Sequence, residues 1–188
     1  MRTDALRLER SRALLLVVDV QEKLAAAMDP AALERMERNV VALVEGAKTL
    51  GVPVVVTEQY PQGIGPTLGS IRAALPEGTK TIAKLDFSCA AVPEVQAELE
   101  RHGRDQLVVA GMEAHICVFQ TVRDLAAAGK HVFVPHDGVL SRRDDNRQVG
   151  LDLARQAGAT VTSTESVLFD LLGRAGTPEF KAISKRIK

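Results

Sequence analysis

Short apolar runs alternate along the chain with longer segments in which apolar residues recur every three or four positions. This alternation predicts strands that are each followed by a helix, the βα units of a parallel sheet. The runs over residues 13–18 and 106–110 are almost wholly apolar, which is typical of central strands covered on both faces. The predicted strands span residues 13–18, 53–57, 79–83, 106–110, 131–134 and 160–163.

Glycine follows each predicted crossover helix. The helices cover residues 31–50, 92–102, 116–128 and 146–157, and the glycines are Gly51, Gly103, Gly129 and Gly158. A glycine at this position readily adopts the left-handed conformation that ends a helix. The segment 59–69, with three glycines and two prolines, is predicted to be an irregular loop, and the basic tail 177–188 a terminal helix.

No repeat, low-complexity tract or linker divides the sequence, so we expect residues 1–188 to form a single domain. The expected architecture is an open, mostly parallel sheet with helices on both faces. Ligands of such sheets bind beyond the carboxyl ends of the strands, near the point where the strand order reverses. Residues at those ends are therefore the candidates for chemistry.

Charge and composition narrow the function. The 24 basic and 24 acidic residues cancel, and one Tyr, five Phe and no Trp offer little for stacking on bases, so we expect no nucleic-acid partner. The apolar runs are much shorter than the roughly 20 residues that span a bilayer, and no signal peptide is evident, which predicts a cytoplasmic protein without membrane contact. Its two cysteines predict free thiols.

Two charged residues end predicted strands. Asp19 follows the first strand directly, where an aspartate serves equally well as a turn former or as a functional carboxylate. Lys84 ends the third strand. It is either a surface lysine paired with Asp86 or a cation held in a dry pocket beside an anion.

Cys117 follows a buried strand and a glycine turn, at the predicted start of a helix. Helix N-terminal amides favour a thiolate, so this position predicts a lowered pKa and a reactive thiol. A small buried residue is the alternative. Cys89 has no comparable setting and is predicted to lie in the core. Asp19, Lys84 and Cys117 could converge in one crevice and supply the nucleophile, acid–base group and cation of an acyl transfer.

Four segments together resemble the isochorismatase-like, cysteine-hydrolase superfamily. They are D-V-Q after the first strand, Lys84 with the following Phe87 and Ser88, GMEAHICV, and D-G-V-L-S-R over residues 137–142. They occur in the right order along nearly the whole chain. The resemblance implies a Rossmann-like, three-layer α/β/α sandwich with a six-stranded, mostly parallel sheet.

The resemblance also implies a site. Asp19, Lys84 and Cys117 would be its catalytic triad, with Cys117 as the nucleophile. A cis peptide between Met112 and Glu113 would aim the Glu113 N–H, together with that of Cys117, into an oxyanion hole. The family's usual assembly implies a homodimer or higher homo-oligomer.

The metal motif of the nicotinamidases in this superfamily is missing, since Thr57 to Tyr60 contain no histidine. We therefore expect no metal and no cofactor, as in the metal-free, isochorismatase-domain-containing branch. Residues that flank strand ends are the candidates for binding a small-molecule substrate: Glu58, Gln59, Tyr60, Phe87 and His115.

Three hypotheses follow. The first is a metal-independent cysteine hydrolase of a small amide, carbamoyl compound or ester that acts through a covalent Cys117 intermediate. The second is a catalytically silent metabolite-binding or scaffold protein of the same fold. The third, a phosphoacceptor that uses Asp19 and Lys84, lacks the acidic pair expected beside the first strand.

Overall fold

The structure, a computed structural model, describes residues 6–187. Seven strands in this range form one sheet in the order β3-β2-β1-β4-β5-β7, with β6 paired to the end of β4. Their pairings are all parallel. The strands are β1 (Ala13–Val18), β2 (Val54–Gln59), β3 (Thr81–Lys84), β4 (Gln106–Met112), β5 (His131–Pro135), β6 (Val139–Leu140) and β7 (Thr160–Thr162). The expected parallel α/β fold is confirmed.

Helices cover both faces of the sheet. They are α1 (Glu22–Ala25), α2 (Pro30–Leu50), α3 (Pro61–Ile64), α4 (Gly69–Ala74), α5 (Pro93–His102), α6 (Phe119–Ala127), α7 (Asp144–Gln156), α8 (Thr164–Leu172) and α9 (Pro178–Ile187). Buried residues of α2, α8 and α9 pack on one face, and those of α5, α6 and α7 on the other. Every residue of β1 and β4 is consequently buried, as their apolar sequences predicted.

Several elements differ from the sequence prediction. The segment 59–69 is not wholly irregular, because β2 continues to Gln59 and α3 begins at Pro61. Proline suits the first position of a helix, where its missing N–H is not needed. Strand β6 and helix α8 were not predicted. The two residues of β6 are too few to give a periodic signal, and they form a strand only because β4 lies beside them.

None of the helices within residues 6–187 has the length and apolar character needed to cross a membrane. The predicted terminal helix is present as α9, and Lys188 lies outside the described residues.

The order of strands reverses between β1 and β4, since the chain leaves β1 toward β2 and leaves β4 toward β5. These two strands pair in register from Ala13↔Gln106 to Val18↔Gly111. At the last pair the backbones approach so closely that a Cβ on Gly111 would lie 1.9 Å from the Val18 carbonyl oxygen. Gly111 also has a φ of +131°. The carboxyl edge at this reversal point therefore depends on a residue without a side chain.

We expect Gly111→Ala to destabilise the protein by at least about 2 kcal/mol, because the methyl group collides with backbone and the φ is unfavourable. Urea unfolding measures this change. Gly129→Ala is the control, because Gly129 also has a positive φ, of +79°, but no atom within 4 Å of the added Cβ. Equal losses in the two variants would show that the close approach contributes nothing.

Candidate active site

Asp19 lies at the first residue beyond β1, where the chain turns out of the sheet with a φ of +52°. Its side chain is completely buried. The carboxylate oxygen Oδ1 accepts a hydrogen bond from Thr57 Oγ1 at 2.8 Å, and Oδ2 accepts one from Lys84 Nζ at 2.7 Å. Both oxygens of this buried carboxylate are thus held by polar partners, which is what a buried charge requires.

Lys84 ends β3 and has a side chain with no exposed surface. Its ammonium lies within hydrogen-bonding distance of four oxygens: Asp19 Oδ2 at 2.7 Å, Gln59 Oε1 at 2.7 Å, and the Asp86 and Phe87 carbonyls at 3.1 and 3.2 Å. The alternative of a surface lysine paired with the Asp86 carboxylate is wrong, because Asp86 contributes its main chain. Lys84 is the buried cation of the second interpretation.

Cys117 lies in a single π-helical turn, Ala114–Val118, that joins β4 to α6. The Glu113 carbonyl accepts the N–H groups of Ile116 at 3.0 Å and Val118 at 3.2 Å, the residues on either side of Cys117. Cys117 is 7% exposed, and its thiol lies near enough to the Asp19 carboxylate for that negative charge to affect the pKa of the thiol. The three residues predicted at separate strand ends therefore come together in the structure.

The expected lowering of the Cys117 pKa is wrong. Burial, the largest cause, and the negative charge of Asp19 raise the pKa of Cys117 to about 12, and the opposing effect of Lys84 is smaller. Burial also raises the pKa of Asp19 above its ordinary value, against the lowering effects of Lys84 and Thr57. The resting thiol keeps its proton beside a carboxylate whose basicity is increased.

Glu113, predicted at the oxyanion hole, follows a cis peptide bond at Met112–Glu113, as the resemblance implied. Its carboxylate accepts hydrogen bonds from the Arg142 main-chain N–H at 3.0 Å and from Arg142 Nε at 3.1 Å. Ser141 Oγ lies 3.0 Å from His115 Nδ1. The Gly138 carbonyl accepts the N–H of Gly111 at 2.9 Å.

These contacts come from one stretch, residues 137–142, which includes β6 and runs beside residues 111–115. The D-G-V-L-S-R segment therefore braces the turn that carries Cys117. No role of its own was predicted for this segment, because its position next to Cys117 depends on the pairing of β6 with β4.

The predicted substrate-binding residues other than His115 divide into two groups. Glu58 is occupied within the protein, since it accepts the Thr67 N–H and Oγ1 hydrogen bonds at 2.6 and 2.7 Å. Gln59 is likewise bound to Lys84. Tyr60 and Phe87, in contrast, are 51% and 54% exposed. Both contact Lys84 through the main chain, since the Tyr60 N–H donates to the Lys84 carbonyl and the Phe87 carbonyl accepts a hydrogen bond from Lys84 Nζ.

Cys89 is fully buried, as predicted for a core residue. Its Sγ nevertheless lies 3.6 Å from Thr57 Oγ1, the group that holds Asp19. Burial, followed by the charge of Asp19, raises the pKa of Cys89. Thr57 and Gln21, both buried around this site, are functional candidates that the sequence analysis missed. Only the D-V-Q pattern hinted at Gln21.

Within residues 6–187, no three His, Cys, Asp or Glu side chains are grouped so that they could hold a metal ion.

A parallel sheet that carries a buried carboxylate, ammonium and thiol at its reversal point defines a Rossmann-like α/β protein with a strand-edge site. Residues 13–166 match the family model for the isochorismatase domain, and the chain belongs to this family. It is 43% identical over 150 residues to the secreted isochorismatase effector Isc1 of Phytophthora sojae, covering 78% of this chain and 71% of that protein.

A second relative is isochorismatase domain-containing protein 2 of Bos taurus, 41% identical over 145 residues, which covers 76% of this chain and 68% of that protein. Among solved structures, that of MAR1 ribonuclease from Caenorhabditis elegans superimposes with a TM-score of 0.90 and 33% identity, covering 96% of this chain and 92% of that chain. The implied branch of isochorismatase-domain-containing proteins is thereby confirmed.

We expect Thr57→Val to lower the free energy of unfolding by about 1.5–3 kcal/mol, since it leaves Asp19 Oδ1 buried without its donor. Valine has nearly the same shape, so packing changes little. Denaturant unfolding measures the loss, and Thr57→Ser, which keeps the hydroxyl, should recover most of it. A Thr57→Val protein as stable as the parent would mean that Oδ1 does not need this bond.

Proposed function

We propose that this protein is a cysteine hydrolase that needs no metal and cleaves a small amide, carbamoyl compound or ester through a covalent intermediate on Cys117. The observation that carries the proposal is the buried ion pair of Asp19 and Lys84, with Nζ and Oδ2 2.7 Å apart, beside the Cys117 thiol. Family membership supports a hydrolase in general, and the side-chain geometry supports this particular chemistry.

The first half-reaction begins with proton transfer from Cys117 Sγ to the Asp19 carboxylate. The raised pKa of Asp19 favours this step, because it makes the carboxylate a stronger base and reduces the difference in pKa between Asp19 and the Cys117 thiol. The sulfur attacks the carbonyl carbon and a tetrahedral oxyanion forms. Its C–N or C–O bond then breaks, and Asp19 returns the proton to the departing nitrogen or oxygen.

The second half-reaction hydrolyses the thioester. A water molecule gives a proton to Asp19 and its oxygen bonds to the carbonyl carbon. The C–S bond breaks, the acid departs, and Cys117 recovers the proton. The positive charge of Lys84 stabilises Asp19 as a carboxylate whenever the proton is elsewhere.

We assign the oxyanion to the main-chain N–H groups of Glu113 and Cys117. The geometry of the turn supports this assignment, because the Glu113 carbonyl accepts hydrogen bonds from the N–H groups of Ile116 and Val118 on either side of Cys117. The Arg142 contacts hold Glu113 in place. Fixed donors of this kind stabilise a developing charge without rearranging during the reaction.

Substrate contacts are assigned to Tyr60, Phe87 and His115, at the rim of the site. Their exposure or nearness to the turn supports this choice, whereas Glu58 and Gln59 already bind within the protein. Association of copies into a homo-oligomer stays a prediction, as does a location in the cytoplasm.

We expect p-nitrophenyl acetate, a small activated ester, to acetylate Cys117 with a burst of one equivalent of p-nitrophenolate per chain. Peptide mass spectrometry locates the acetyl group. Cys117→Ala should abolish the burst, while Cys89→Ala, the matched control at the other buried thiol, should retain it.

An acetyl group absent from Cys117, or a burst that survives Cys117→Ala, would contradict the hydrolase. Tight binding of a metabolite without turnover, unchanged in Cys117→Ala, would favour the silent binding protein. Cleavage of single-stranded RNA by both the parent and Cys117→Ala would instead point to the activity named for the C. elegans protein.

We expect Asp19→Asn to speed up alkylation of Cys117 and to slow down turnover. Removing the negative charge beside Cys117 lowers the pKa of the thiol, so alkylation by iodoacetamide at pH 8 should accelerate severalfold. Turnover of p-nitrophenyl acetate should fall by about 100-fold or more, because the base is gone. If alkylation and turnover fall together, Asp19 does not act as the base for this thiol.

A further inference from the structure

Gln21, the last residue of the D-V-Q segment, has a completely buried side chain. Its Oε1 accepts the Gln59 N–H at 2.8 Å, and its Nε2 donates to the Gln59 carbonyl at 3.0 Å and to the Gly65 carbonyl at 2.6 Å. One amide thus makes three hydrogen bonds to main chain that lies about 40 residues away in sequence.

The position of these bonds explains why an amide is needed. The β1–β2 ladder continues as far as the Asp19 N–H, which donates to the Thr57 carbonyl at 3.2 Å. Beyond this point the chain turns away at Asp19, and β2 runs on to Gln59 without a neighbouring strand from β1. The Gln21 side chain supplies the acceptor and the donor that a strand would have offered.

The Gln59 side chain connects the main chain held by Gln21 to Lys84. Its Oε1 accepts Lys84 Nζ at 2.7 Å, and its Nε2 donates to the Leu85 carbonyl at 2.8 Å. Because one end of the amide is bound to a donor and the other to an acceptor, its orientation is determined. The oxygen is the only side-chain acceptor of the Lys84 ammonium besides Asp19 among the described residues.

We propose that Gln21 and Gln59 are positioning residues, whose two amides hold the Lys84 ammonium against Asp19 Oδ2. This inference rests on the proposed function. Among residues 6–187 no hydrogen bond joins either glutamine to Cys117, and we assign Gln59 to positioning Lys84, where the sequence had suggested substrate binding. A neutral acceptor is required at Gln59, because a second carboxylate would compete with Asp19 for the ammonium.

Gln59→Glu tests this requirement with almost no change in shape. The titratable groups that act on the Cys117 thiol include Asp19, Lys84 and Cys89. A second negative charge beside the Lys84 ammonium offsets part of the positive charge. Lys84 then stabilises the Asp19 carboxylate and the thiolate of Cys117 less strongly. We expect the pH profile of Cys117 alkylation by iodoacetamide to move upward by about one unit, which is about tenfold slower alkylation at pH 8.

Gln21→Leu and Gln59→Leu should shift the pH profile of Cys117 alkylation in the same direction, since each removes hydrogen bonds that hold the Lys84 ammonium in position. The matched control is Gln106→Leu. Gln106 is also a buried glutamine with two main-chain bonds, from the Glu9 N–H and to the Arg7 carbonyl, both at 2.7 Å, but it lies at the opposite edge of the sheet. This variant should lose stability and keep the parent profile to within about twofold.

Peptide mass spectrometry follows Cys117 separately from Cys89, and near-ultraviolet circular dichroism verifies that each variant is folded. Folded Gln59 variants with the parent profile would overturn the inference, as would an equal shift in Gln106→Leu. Lys84→Met separates the two proposals. If Lys84→Met alters the profile and the Gln59 variants do not, the positioning role alone fails, whereas a profile insensitive to Lys84→Met contradicts the triad itself.

Discussion

The buried contact between Asp19 and Lys84 is the interaction on which the rest of the site depends. Two charges removed from water cost several kcal/mol each unless hydrogen bonds replace their hydration. Here Thr57 satisfies one carboxylate oxygen, and three neutral oxygens surround the ammonium in addition to Asp19. The ion pair is stable in the interior because strands β1, β2 and β3 end together and bring these groups within reach.

Side chains complete the sheet where its strands stop. Gln21 takes the place of a strand beside Gln59, and Glu58 binds Thr67 at the other end of the following loop. Across the reversal point, β6 and Arg142 hold the end of β4 and Glu113. A strand edge without such partners would present unpaired amides and carbonyls to a buried site, which is costly. The supports therefore serve folding and chemistry together.

The same burial shapes the reactivity of the thiol. In a solvated crevice a helix N-terminus would favour the thiolate, but here the loss of water and the adjacent carboxylate outweigh it and raise the pKa of Cys117 to about 12. The proposed mechanism accordingly transfers the proton as the reaction proceeds and does not rely on a preformed thiolate. A neutral resting thiol is also less prone to oxidation and to unwanted alkylation.

Much of the fold and the identity of the three central side chains could be predicted from the sequence. Apolar runs and glycine-terminated helices establish βα units, and the carboxyl ends of parallel strands share an edge, so Asp19, Lys84 and Cys117 could be expected to meet. The prediction of an irregular loop at 59–69 was only partly right, and β6 was not predicted, because the structure of both segments depends on pairing with a distant part of the chain. Tertiary structure alone decided that Gln59 binds Lys84, that Arg142 holds Glu113, and that the Cys117 pKa rises. Local patterns determine which elements form, whereas burial and hydrogen-bond partners arise from residues far apart in sequence, as Asp19 and Lys84 are by 65 positions.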